Sequence, residues 1–99
     1  MVRDGAAPAS AAVVLVVEQD PQKRRTMAAA LRKEGFVVYE AADGAEAIKV
    51  LDAVAIDVVF TDIDAEGGPA LSRWVEQRRP STYVAWTADG ERDQAVSIH

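Results

Sequence analysis

Four short β-rich runs alternate with three helical patterns along this chain, and the first run has no polar face. Together these predict an α/β domain built on a doubly wound parallel sheet. A third observation concerns function: acidic and hydroxyl residues stand directly after these runs, and in an open parallel sheet such groups collect beyond the carboxyl ends of the strands. The spacing between runs suits βαβ units with right-handed crossovers.

The first run, AVVLVV from Ala12 to Val17, is continuously apolar and β-branched, as expected of a central strand covered on both faces. Before it, residues 1–10 carry Gly5 and Pro8 among alanines and read as a loose N-terminal arm, leaving 11–99 as one domain. Asp20 can cap a helix and Pro21 suits its first position, so DPQKRRTMAAALRKEG starts a helix there. Met27, Ala30 and Leu31 are expected on its inner face, and Gly35 to end it. FVVYE, Phe36 to Glu40, is a second strand. DGAEAIKVLDAV is a second helix with Ala47, Ile48 and Leu51 on one face, and Asp57 to Thr61 form the third strand. After the loop DIDAEGG, Pro69 opens a third helix with Leu71, Trp74 and Val75 inward, ended by Arg79-Pro80. TYVAWT, Thr82 to Thr87, is the fourth strand, with Trp86 on the face opposite Tyr83, Ala85 and Thr87. ADGERDQAVSIH reads as a loop and about two turns of helix, leaving nothing for a fifth strand.

At 99 residues, 49% hydrophobic and 27% charged, the chain has the composition of a single folded domain. A net charge of −5 argues against nucleic acid or an anionic membrane as partner, since both require concentrated positive charge. There is no cysteine, hence no disulfide, thiolate metal site or thiol nucleophile. The apolar run behind Arg3 is as short as a core strand and ends in Glu18, so neither a signal peptide nor a membrane span is expected. The cytoplasm is the expected compartment.

The strand ends carry the chemistry. The first delivers Glu18, Gln19 and Asp20, the third Asp62 and Asp64, and the fourth Thr87, followed by the small residues Ala88 and Gly90. If these strands are neighbours, their carboxylates repel unless a hard cation such as Mg²⁺ sits among them. A carboxylate so placed can act as a nucleophile toward phosphorus, given a metal to screen the two anions and donors for the phosphoryl oxygens. Asp62 suits the nucleophile and Thr87 one donor. Asp20 is better read as the helix cap. The lone histidine, His99, is the last residue and is assigned no role.

VVLVVEQDPQKRRTMAAALRKEGFVVYEAADGAEAIKVL, followed by IDVVFTDID and YVAWTAD, resembles the receiver domain of two-component response regulators from about Val13 to Ala95. The resemblance implies a flavodoxin-like five-stranded fold with Asp62 as phosphoacceptor at the end of the third strand. It implies an acidic pair for Mg²⁺ after the first strand, matched by Glu18, with Gln19 standing where the second acid is usual. It also implies a hydroxyl at Thr87 with Ala88 as its small neighbour. Asp64 would help hold the metal through water or its backbone carbonyl, and Gln19 would contribute a weak neutral ligand. The implied partner is a sensor histidine kinase or phosphotransfer protein, for which the helix carrying Lys23, Arg24 and Arg25 is a docking surface in the family; otherwise that basic run reads as a solvated face. The implied role is a signalling module rather than a turnover enzyme.

Three departures accompany the resemblance. Ala65-Glu66 and Pro69-Ala70 replace the usual residues behind the acceptor. The lysine and aromatic residue of the fifth strand have no counterpart, nor has the last helix, so the expected fold is a receiver lacking its fifth strand and last helix. The bare edge of the fourth strand is then expected to pair, and self-association through residues 82–98 is expected. Two other functions compete: a pseudo-receiver acting as a phosphorylation-independent interaction module, favoured by Gln19 and the missing lysine, and a haloacid-dehalogenase-like phosphatase, suggested by the Asp62-x-Asp64 pattern.

Overall fold

The computed structural model describes residues 11–62, 67–87 and 97–98; the expected N-terminal arm lies outside them. In chain order come β1 (Val13–Val17), α1 (Pro21–Lys33), β2 (Val37–Ala41), α2 (Gly44–Ala53), β3 (Val58–Asp62), α3 (Gly68–Arg78), β4 (Tyr83–Thr87) and β5 (Ser97–Ile98). The sheet order is β2-β1-β3-β4-β5. The first four strands run parallel, as the alternation predicts.

β1 is central, and its side chains divide between two cores as the pleat demands. Leu15 and Val17 join Val59 of β3, Ala47 and Leu51 of α2, and Leu71 and Val75 of α3 on one face. Val14 and Val16 join Val38 of β2 and Ala28 of α1 on the other, with Met27, Leu31, Val58 and Phe60 packed at its margin. The inward residue of α1 is therefore Ala28, whereas Ala30 is exposed. Both lie within one turn of Met27 and Leu31, and the alanine run leaves the sequence pattern unable to choose between them.

The helix ends follow their local chemistry. Asp20 caps α1 by accepting the Gln22 amide at 3.0 Å, with Pro21 in the first turn. Gly35 follows α1 at φ 101°, a left-handed conformation that stops a helix cheaply only in glycine. Asp43 caps α2 through the Glu46 amide, and the Glu46 carboxylate returns to the Ala42 amide at 2.8 Å. At the opposite edge of the sheet, Asp57 ties three strands together. Its carboxylate accepts the Val13 amide at 2.7 Å, its own amide donates to the Val13 carbonyl, and its carbonyl accepts the Tyr83 amide. Asp57 thus precedes β3 rather than belonging to it, and β2 likewise begins one residue later than expected, at Val37.

The β4 edge, expected to be bare, carries β5. Ala85 pairs with Ile98 and Trp86 with Ser97 in antiparallel sense. An antiparallel partner needs no crossover helix, so two extended residues can occupy a position that a parallel strand could not reach so briefly. Two residues are too short to show a period, and the helical turns expected there do not extend through Ser97–Ile98. Among the described residues no helix is long and apolar enough to cross a membrane.

Candidate functional site

Parallel pairing brings the predicted residues to one edge. Asp62, the last residue of β3, is the Cα partner of Thr87, the last of β4. Val17 pairs with Thr61, so one further step along the same register sets Glu18 beside Asp62. The ends of β1, β3 and β4 are therefore adjacent, with Asp62 in the middle. Gln19 is exposed. Asp64, Ala88 and Gly90 lie outside the described residues.

Glu18 is held from two sides. Its Oε2 accepts the Asp20 amide at 3.0 Å. Its carbonyl accepts from Nη1 of Arg24 at 2.9 Å, and its amide donates to the Ala41 carbonyl at 3.0 Å, prolonging the β1–β2 ladder by one bond. Arg24 also reaches Glu40 on β2, Nε to Oε1 at 3.6 Å, while Arg32 reaches the other oxygen of Glu40 at 3.3 Å and the Val38 carbonyl at 2.8 Å. Arg24 is four-fifths buried at its side chain. The Lys23–Arg25 run is thus not uniformly a solvated face: Arg24 turns toward the sheet, while Lys23 and Arg25 are exposed. A sequence signal for this was present, because Glu40 shares the helix-covered face of β2 with Val38, and a carboxylate there needs a partner.

A second contact near the site, between two glycines, was not legible in the sequence. Gly44, opening α2, packs so closely on Gly67 that a Cβ there would lie 2.7 Å from the Gly67 carbonyl oxygen. Gly67 itself has φ 79° and immediately precedes α3. The far end of the loop that leaves Asp62 is thereby pressed against the start of α2. Trp86 is half-buried and lies beside Gly68, whose added Cβ would meet its ring at 3.5 Å. It therefore lies on the α3 side, where Val84 also packs. The Trp74 ring is overlaid by the guanidinium groups of Arg78 and Arg79 at 5.7 and 5.5 Å.

A parallel sheet in this order, with acids ending β1 and β3 and a hydroxyl ending β4, defines a receiver-type signalling module. The chain belongs to the response regulator receiver domain family, whose model matches residues 14–98; the family serves two-component signalling. It is 31% identical over 88 residues to the aerobic respiration control protein ArcA of Escherichia coli K12, covering 86% of this chain and 37% of ArcA. It thus spans little more than a third of the length of that relative. Among solved structures it is similar to a response regulator from Thermotoga maritima, at 30% identity and a TM-score of 0.71, covering 85% of this chain and 71% of that one. It is also similar to the response regulator TrrA from Thermotoga maritima, solved in complex with Mg²⁺ and BeF, at 25% identity and a TM-score of 0.68, covering 74% of this chain and 65% of TrrA. The family match spans the whole strand–helix alternation, whereas the haloacid-dehalogenase resemblance is confined to Asp62 and Asp64.

The donors at this edge bear on Mg²⁺. Glu18 and Asp62 are carboxylates at adjacent strand ends, and Gln19 and Thr87 add neutral oxygen. Such an all-oxygen set suits a hard cation that keeps several waters. Among the described residues no cluster of three or more acidic, histidine or cysteine residues forms a metal cage.

Proposed function

We propose that the chain is a phosphoacceptor receiver in which Asp62 takes a phosphoryl group from the phosphohistidine of a sensor kinase or phosphotransfer protein. The observation that carries this reading is the register that sets Asp62 between Glu18 and Thr87 at the ends of three adjacent strands. A carboxylate oxygen of Asp62 bonds to phosphorus as the phosphorus–nitrogen bond breaks. The imidazole nitrogen leaves with the electron pair and takes up a proton, and Asp62 becomes an acyl phosphate. Thr87 donates its hydroxyl to a phosphoryl oxygen. Glu18 and Asp62 would hold Mg²⁺, assisted by Gln19 and by Asp64 through water or its carbonyl; when bound, the ion screens the charge between the two anions. The module works in the cytoplasm, where such kinases deliver their phosphoryl groups.

Incubation with acetyl phosphate and Mg²⁺ tests the reading by intact mass. A phosphoryl gain that disappears in Asp62→Asn is expected, and a gain that survives this substitution overturns it. The pseudo-receiver is the second reading, supported by the exposed amide of Gln19 where a second acid would stand. It requires that the parent chain take up neither phosphoryl group nor beryllium fluoride at millimolar Mg²⁺.

Self-association through residues 82–98 is proposed in a narrower form. Ala85 and Trp86 already pair within the chain, so the surface left on β4 is its Tyr83 end, where Tyr83 is 39% exposed. Sedimentation of a monomer at high micromolar concentration overturns it.

A further inference from the structure

We propose that Arg24 is a positioning residue for the phosphoacceptor site, holding the end of β1 so that Glu18 stays beside Asp62; this rests on the reading of the site given above. The guanidinium adds a side-chain bridge between the ends of β1 and β2, where the backbone ladder runs out with the single bond from the Glu18 amide to the Ala41 carbonyl. Nη1 donates to the Glu18 carbonyl at 2.9 Å, and Nε lies 3.6 Å from the Glu40 carboxylate on β2. Glu40 is in turn anchored by Arg32. The backbone at Glu18 is therefore clamped from the helix side just where the chain leaves the sheet. Its carboxylate is then oriented by the Asp20 amide in the same turn.

The planar guanidinium suits this task because two of its N–H groups point to two acceptors at once. A lysine ammonium on a flexible stem does not hold both with fixed geometry. Arg24 is not itself a ligand and touches no reacting atom. Its effect passes through Glu18, in the way outer-shell partners orient metal ligands, where loss of such a partner commonly costs on the order of tenfold in metal affinity.

Arg32 is the natural control. It shares the Glu40 contact, but its second contact is to the Val38 carbonyl rather than to that of Glu18. Arg24→Ala, Arg24→Lys and Arg32→Ala are compared with the parent by calorimetric titration with Mg²⁺ alone and by amide hydrogen exchange at residues 18–20. Arg24→Ala should weaken Mg²⁺ binding on the order of tenfold and speed exchange of the Asp20 amide. Arg24→Lys should recover only part of both effects, and Arg32→Ala should change neither by more than about twofold. With acetyl phosphate, the Arg24→Ala defect should appear as a raised Mg²⁺ half-saturation and be overcome at high Mg²⁺. Equal effects of Arg24→Ala and Arg32→Ala on Mg²⁺ affinity would reduce Arg24 to a general structural role and overturn the proposal. So would unchanged exchange at Asp20 in Arg24→Ala, whether or not metal binds. A parent that binds no Mg²⁺ while Asp20 exchange responds as expected would overturn the reading of the site and the metal-positioning role with it, leaving only a clamp on the turn.

Discussion

On the face beneath α2 and α3, Leu15, Val17 and Val59 meet Ala47, Leu51, Leu71 and Val75, all buried. On the face beneath α1, Val14 and Val16 meet a helix whose buried residue is one alanine, Ala28, with Met27 and Leu31 half-buried beside it. The second helix–sheet contact is supplemented by directional polar contacts, from Arg24 and Arg32 to Glu40 and to the carbonyls of Glu18 and Val38. Apolar burial is the stronger but non-directional term. A guanidinium adds little stability and much geometry. The two faces therefore divide the work: the α2–α3 face holds the scaffold, and the α1 face sets the position of the turn that presents Glu18.

The sharpest way to break this comparison is to cut equivalent volumes from both faces. Leu71→Ala, on the α2–α3 face, should lower unfolding free energy by about 3 kcal/mol, since a fully buried leucine leaves a cavity. Met27→Ala on the α1 face should cost about 1 kcal/mol, as its side chain is already half in water. Equal losses in denaturant titrations would mean that the faces are not held differently.

Next in size is Gly44→Ala. Alanine is ordinarily the better helix residue by about 1 kcal/mol, but here its methyl carbon would lie 2.7 Å from a backbone oxygen. Overpacking of this kind costs about 1–3 kcal/mol. The variant should lose stability rather than gain it, and the chemical-shift changes should spread from α2 to the start of α3.

Glu40→Gln probes the polar tether. Its side chain is about a quarter exposed, so solvent screening leaves the lost ion pairs worth under about 1 kcal/mol. The thermal midpoint should hardly move, while Mg²⁺ affinity falls, if the α1 face serves geometry more than stability. Smallest in stability is Gln19→Asp at an exposed position. Its unfolding should be unchanged and its Mg²⁺ binding tighter than the parent's, because a charged oxygen replaces a neutral one; weaker or equal binding in calorimetry would show that residue 19 does not face the metal.

Much of this was legible in the chain itself. The unbroken apolar run at Val13–Val17 demanded a strand covered on both faces, and Asp20-Pro21 and Gly35 marked the two ends of α1 by capping and left-handed geometry. These are local interactions, between residues a few positions apart, so sequence carries them directly. The candidate residues Glu18, Asp62 and Thr87 were visible for a related reason: they follow their strands immediately, and parallel strands deliver their ends to a common edge. Tertiary structure decided what depends on distant segments meeting. It chose Ala28 over Ala30, turned Arg24 inward toward Glu40, pressed Gly44 onto Gly67, and laid Ser97–Ile98 along β4. Each is a contact across an element or between elements, whose partner is selected by packing and by the need to satisfy buried polar groups. A pattern read along one dimension does not contain that choice.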